Sequence, residues 1–151
     1  LWQVYATTAG GFAVDWFRGE FCKEMSKREF FRYFDEVLDR EDTGNVTFTP
    51  YLTGDRQSLR KKTASIYGLT LGATRDQMLL AMMTSMQEVL YRAICQAGEI
   101  VTLDPTVKIT GGLVDDAYLR LKRRTMPGFD FKLVEDCPIL GNVALAKMYR
   151  D

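Results

Sequence analysis

Residues Val107–Tyr118, VKITGGLVDDAY, run from a short apolar stretch into two adjacent glycines and then into a segment with helical apolar spacing. Glycine at the end of a strand allows backbone angles that other residues avoid, and it lets another group come close to the main chain. A phosphate or nucleotide is one such group. Tight packing of strand on helix is the other explanation, and these residues leave both open.

Reading outward, Val107–Thr110 is expected as strand, and a helix is expected over about Val114–Thr125 with Tyr118, Leu119 and Leu121 at its apolar positions. Phe129, Phe131 and Leu133 alternate as a second strand, and Pro138, suited to a first helical turn, opens a last helix through Leu140, Val143, Leu145 and Met148. Strand, helix, strand, helix with short links implies a parallel pair joined by a right-handed crossover, hence an α/β or α+β domain.

Towards the N-terminus the same reading continues. Residues 1 to 9 have strand character, and Gly10-Gly11 then punctuate the chain. Phe12, Trp16, Phe17 and Phe21 follow at helical spacing and are expected as a core stripe. Ser26 and Glu29 form a capping box ahead of a helix whose buried stripe is Phe30, Phe31, Phe34, Val37 and Leu38. Thr74 and Gln77 form another, opening the longest helix, about Arg75 to Ala97, with Gly98 at its C-cap. Its stripe of Met78, Met82, Met86, Val89, Leu90, Ala93 and Ile94 reads as core. Between these helices Val46–Thr70 is expected to be a long ordered excursion with little regular structure.

With 151 residues, 46% of them apolar, the chain suits one domain with a real core. Twenty basic and twenty acidic residues cancel, which argues against a nucleic-acid surface. No apolar run is long enough to span a bilayer, so no membrane association is expected. The first eleven residues have no signal-peptide pattern. Cys22, Cys95 and Cys137 have no metal-site spacing and are expected as buried reduced thiols of a cytoplasmic protein. The absence of histidine removes Ser-His-Asp and Cys-His catalysis and the usual zinc ligands.

In open α/β sheets, ligands bind beyond the carboxyl ends of strands, against helix N-termini. Gly111-Gly112 occupies such a position, and Gly10-Gly11 could form a second wall of the same kind. Asp15 lies four residues after Gly11 and Asp116 four after Gly112, about one helical turn beyond each glycine. Either carboxylate could accept hydrogen bonds from a ribose or an adenine amino group, and either could equally be an acidic residue favoured in a first helical turn. Lys122-Arg123-Arg124 reads as a solvated helix face, while Arg60-Lys61-Lys62 lies in the long excursion.

In this order the pieces resemble the C-terminal domain of the FGGY carbohydrate kinases, the family of xylulokinase, gluconokinase, ribulokinase and glycerol kinase. AGGFAVDWFRGEF (9–21) is similar to the family's glycine-then-Trp helix, and TPYLTGDRQ (49–57) to its P-x-L-x-G-E-R-x-P segment. ASIYGLTLGATRDQMLLAMM (64–83) is similar to its second signature, through Ala64, Ile66, Gly68, Leu69, Gln77, Met78, Ala81, Met82 and Met83. VKITGG (107–112) is similar to its nucleotide-site strand and glycine pair, and EDCPILGNVALAKMY (135–149) to its closing helix. Four departures stand out: Asp55 for Glu, Gln57 for Pro, Thr84 for an acidic residue or Gln, and Val114-Asp115 for Lys-Ser.

The resemblance implies an α/β actin-like, ribonuclease H-like domain over residues 1–151, partial at its N-terminal edge. It implies ATP as cofactor with Mg²⁺ held by the nucleotide phosphates, and Gly11, Asp15, Gly111, Gly112 and Asp116 around the nucleotide. Asp15 and Asp116 fall where relatives carry Gln and Asn near the adenosine. The implied reaction is phosphorylation of a sugar or polyol hydroxyl, a pentulose such as xylulose being favoured by PYLTGDR. The catalytic aspartate and most sugar contacts are expected on an N-terminal domain that this sequence does not contain, so the chain alone is expected to be inactive. A homodimer through an exposed sheet edge is a further expectation. The competing reading is a non-catalytic interaction or regulatory domain that keeps the kinase fold. A ribonuclease H-like nuclease is disfavoured, because VTL, VKIT and FKLV contain no acidic residue.

Overall fold

A computed structural model describes residues 10–55, 60–134 and 137–148. Its elements are α1 (Gly10–Phe21), α2 (Lys27–Leu38), β1 (Thr47–Thr49), β2 (Ser65–Tyr67), α3 (Arg75–Gly98), β3 (Thr106–Ile109), α4 (Asp116–Thr125), β4 (Asp130–Leu133) and α5 (Cys137–Met148). The strand expected over residues 1 to 9 lies outside the described residues.

The parallel pair is present. β3 and β4 run side by side with Thr106 opposite Asp130 and Ile109 opposite Leu133, and α4 connects them. Parallel strands need such a crossover, since a tight turn cannot return the chain in the same direction. The excursion is more ordered than its composition implies: β1 and β2 pair antiparallel, Thr47 opposite Tyr67 and Thr49 opposite Ser65. Gly68 makes that pairing possible. Its φ is +75°, and a Cβ there would lie 1.9 Å from the Asn45 carbonyl oxygen, so no side chain fits without moving the backbone.

Both capping boxes form. Glu29 N donates to Ser26 Oγ while Ser26 N donates to Glu29 Oε2, and Thr74 and Gln77 make the same reciprocal pair. Each satisfies two backbone donors that a helix start leaves orphaned. α3 runs one residue past the expected end, so that Gly98 is its last residue and Glu99 its C-cap. α4 starts two residues later than the apolar spacing predicts, with Asp115 as N-cap accepting from Tyr118 N at 2.8 Å.

The core differs from the expected stripes in two places. Of the stripe expected in α3 only Met82 is buried and the other six residues are half-buried, whereas the run Leu79–Met83 is buried without a break, because α2, α4 and β1 pack around this part of the helix. In α1 the buried face is Ala13, Val14 and Phe17, whereas Phe12 is 83% and Trp16 36% exposed. Phe12 and Trp16 instead line an apolar hollow of about 320 Å³ with Leu52 and Thr53. The thiols also divide: Cys22 is buried, with its thiol pushed up by desolvation, while Cys95 is exposed. The side chain of Cys137 lies outside the described residues.

Candidate functional site

The two glycine pairs meet across one cleft of about 500 Å³. Gly10, Gly11 and Asp15 line it from α1, and Gly111 and Gly112 from the turn between β3 and α4. Phe31, Met83, Met86, Ile109 and Val114 supply apolar wall. Four of the five predicted site residues are therefore brought together: Gly11, Asp15, Gly111 and Gly112. Asp116 is exposed and is not among the lining residues.

Each glycine of the second pair has a different reason to be there. Gly111 adopts φ +140°, a region unfavourable to any residue with a Cβ, and its carbonyl accepts from Val114 N at 3.1 Å to close the turn. Gly112 carries no such constraint, and a Cβ added to it would meet nothing within 4 Å. Packing therefore does not require glycine at 112. The bare backbone there faces space that a ligand could occupy.

At the α4 start the N-cap carboxylate of Asp115 sits beside Asp35 of α2. Burial first, and then the hydrogen bond with Asp115, push the Asp35 carboxyl up to about 6. One Asp35 oxygen is buried without a hydrogen-bond partner. Two ionised carboxylates at such an approach repel, which adds to burial in keeping Asp35 protonated at acid pH. On the outer side, Asp39 grips Arg120 in two hydrogen bonds of 2.7 and 2.8 Å, tying α2 to α4.

Of the basic run on α4, Arg123 and Arg124 are exposed, as expected of a solvated face, and only Lys122 turns inward. Arg124 donates to the carbonyls of Leu38 and Arg40 at 3.1 and 2.8 Å, closing the C-terminal end of α2. Arg123 reaches the Phe131 carbonyl. Lys122 is buried, 3% exposed, and lines the cleft. Its Nζ donates to Gln87 Oε1 at 2.7 Å and lies 5.2 Å from the Tyr118 ring centroid and 5.4 Å from that of Phe131. Burial lowers its pKa to about 8.

Composition reasoning missed Lys122, Gln87 and Tyr118 as site residues. Lys122 shares a helix face with Tyr118, four residues earlier, but which face turns inward is set by packing. In the basic run of the excursion, Lys62 pairs at 2.5 Å with Asp55, whose side chain is only 8% exposed. Among the described residues no group of three cysteine or acidic side chains gathers to hold a metal ion, and no helix is long and apolar enough to cross a membrane.

No family model and no curated protein matches the chain. Solved structures do. It superimposes on glycerol kinase from Plasmodium falciparum, crystallised with ADP, with a TM-score of 0.74 at 17% identity over 93% of this chain and 29% of that one. Xylulose kinase from Rhodospirillum rubrum gives 0.70 at 14% identity over 82% of this chain and 25% of that one. Gluconate kinase from Lactobacillus acidophilus gives 0.67 at 22% identity over 94% and 30%. The chain thus spans under a third of the kinases it matches. Identities this low carry the fold and nothing finer, and that fold is the α/β fold of a part of the FGGY sugar kinases.

Proposed function

We propose that this chain is the nucleotide-binding part of the C-terminal domain of an ATP-dependent carbohydrate kinase, with the actin-like topology of that domain. The observation that carries the reading is the cleft itself. Two glycine pairs, one on each wall, leave backbone bare toward a space of about 500 Å³ on a fold similar to that of sugar kinases.

On this reading Gly11 and Gly112 approach the nucleotide, Gly111 shapes the turn, and Asp15 accepts from ribose or base at the cleft wall. Asp116, away from the lining residues, acts through its place in the first turn of α4. ATP supplies the transferable phosphoryl group, and Mg²⁺ enters on its phosphates. The acceptor is a sugar or polyol hydroxyl, a pentulose such as xylulose being the first candidate. The general base and most sugar contacts belong to a separate N-terminal domain, since phosphoryl transfer needs the hydroxyl, base and phosphates held in line. The cytoplasm is the location that suits such an enzyme, and a homodimer is the assembly proposed for it.

Calorimetric titration of the chain with ADP tests the nucleotide part. Wild type is expected to release binding heat, and Gly112→Asp, which sets a carboxylate where phosphate or ribose approaches, to abolish it. An absence of heat with the wild type overturns the reading in favour of an interaction domain that keeps only the fold. The substrate is tested on the full protein, by ADP release from MgATP with xylulose, ribulose, gluconate and glycerol in turn.

A further inference from the structure

Lys122 is a cation inside the cleft with no carboxylate beside it among the described residues. A buried ammonium without a counter-charge is costly, and proteins seldom retain one by accident. An ammonium has three donors. Gln87 Oε1 takes one, and the faces of Tyr118 and Phe131 flank the group. Gln87 in turn donates through Nε2 to the Tyr118 hydroxyl at 3.2 Å, which leaves the Tyr118 proton free to be donated elsewhere. Tyr118 also lines the cleft. Lys122 and Tyr118 therefore present donors to whatever enters, and one lone pair of the Tyr118 hydroxyl can still accept.

The lining indicates which part of a ligand it meets. The Lys122 backbone lies about 9 Å along α4 from the helix start, and its side chain leans back towards that start, as helical side chains do. The wall around the cleft is Phe31, Met83, Met86, Ile109 and Val114, which suits the faces of a flat ring. Lys27 lines the same cleft and offers a phosphate a second ammonium.

We propose that Lys122 is a base-anchoring residue, its ammonium donating to a ring nitrogen of the purine between the apolar walls of the cleft, with Gln87 and Tyr118 holding it in place. This rests on the nucleotide reading above and adds to it the residue that grips the base.

Adenosine and inorganic pyrophosphate, titrated separately into wild type and Lys122→Met, separate the possible contacts. A hydrogen bond from a charged donor corresponds to about a tenfold to hundredfold change in affinity. Lys122→Met is expected to weaken adenosine by that factor and leave pyrophosphate unchanged. Of 1-deaza-, 3-deaza- and 7-deaza-adenosine, one is expected to bind wild type as weakly as adenosine binds the variant, and to be insensitive to Lys122→Met. Should Lys122→Met misfold through the orphaned Gln87, the double variant Lys122→Met with Gln87→Met restores an apolar pair and takes its place. Equal adenosine affinity with and without Lys122 overturns the proposal while the nucleotide reading stands. Loss of pyrophosphate binding alone reassigns the lysine to phosphate and also overturns it. Failure of wild type to bind either ligand removes both readings together.

Discussion

Gly68→Ala and Gly112→Ala form a matched pair whose contrast tests why each glycine is there. At Gly68 an added Cβ would sit 1.9 Å from the Asn45 carbonyl oxygen and 2.8 Å from its carbon, at φ +75°. The left-handed conformation costs a residue with a Cβ about 1–2 kcal/mol. Relieving the overlap requires one backbone to retreat by more than an ångström (about 1–3 kcal/mol, the range for overpacking). The sum, about 2–5 kcal/mol, is a large part of the stability of a domain this size. The same methyl at Gly112 meets nothing within 4 Å and no positive φ, so its effect on folding should stay within about 0.5 kcal/mol. Urea denaturation followed by far-ultraviolet circular dichroism measures both. Gly68→Ala is expected to lower the midpoint strongly with an unchanged slope, and Gly112→Ala to leave it in place. A Gly112→Ala cost equal to that of Gly68→Ala would mean the second glycine serves packing. Its bare backbone would then have no need of a ligand to explain it.

Two further outcomes follow from the core and the carboxyl pair. Phe12→Ser should leave the denaturation midpoint nearly unmoved, because the ring is 83% exposed, whereas Phe17→Ala, 1% exposed, should cost about 3–5 kcal/mol; similar losses for both would restore the four-aromatic stripe. Asp35 has its carboxyl raised to about 6, so the folded state holds a proton that the unfolded state has released. Its contribution to stability is therefore full below about pH 4 and is lost as pH rises to about 6. Asp35→Asn should abolish that decline. Thermal melts across this range read the difference between the two proteins, and parallel curves would show that the Asp35 carboxyl is not raised in the folded state.

The strand–helix–strand unit was legible because each of its signals is local. Val107, Ile109, Phe129, Phe131 and Leu133 alternate over short runs, and a parallel pair permits only a crossover connection between them. The capping boxes were legible for the same reason, since each is closed within four residues. β1 and β2 escaped notice because three residues are too few to display a period, and their partners lie some twenty positions apart. Gly68 gave no local hint either. Its necessity comes from the Asn45 carbonyl, which only the paired strands bring against it.

Composition and spacing determined by themselves that the domain is α/β or α+β, that these 151 residues hold no histidine, and that two glycine pairs each precede a helix. Tertiary structure decided that the pairs face each other, with Gly11, Asp15, Gly111 and Gly112 on one cleft and Asp116 off it. It also turned Phe12 and Trp16 outward and Lys122 inward. Those outcomes depend on which side of a helix its neighbours cover. Helical periodicity makes residues share a face, but only the packing of α2, α3 and β4 against α4 selects the face that loses water. Lys122 therefore reads as one more charge in a basic run until Gln87, Tyr118 and Phe131 close around it.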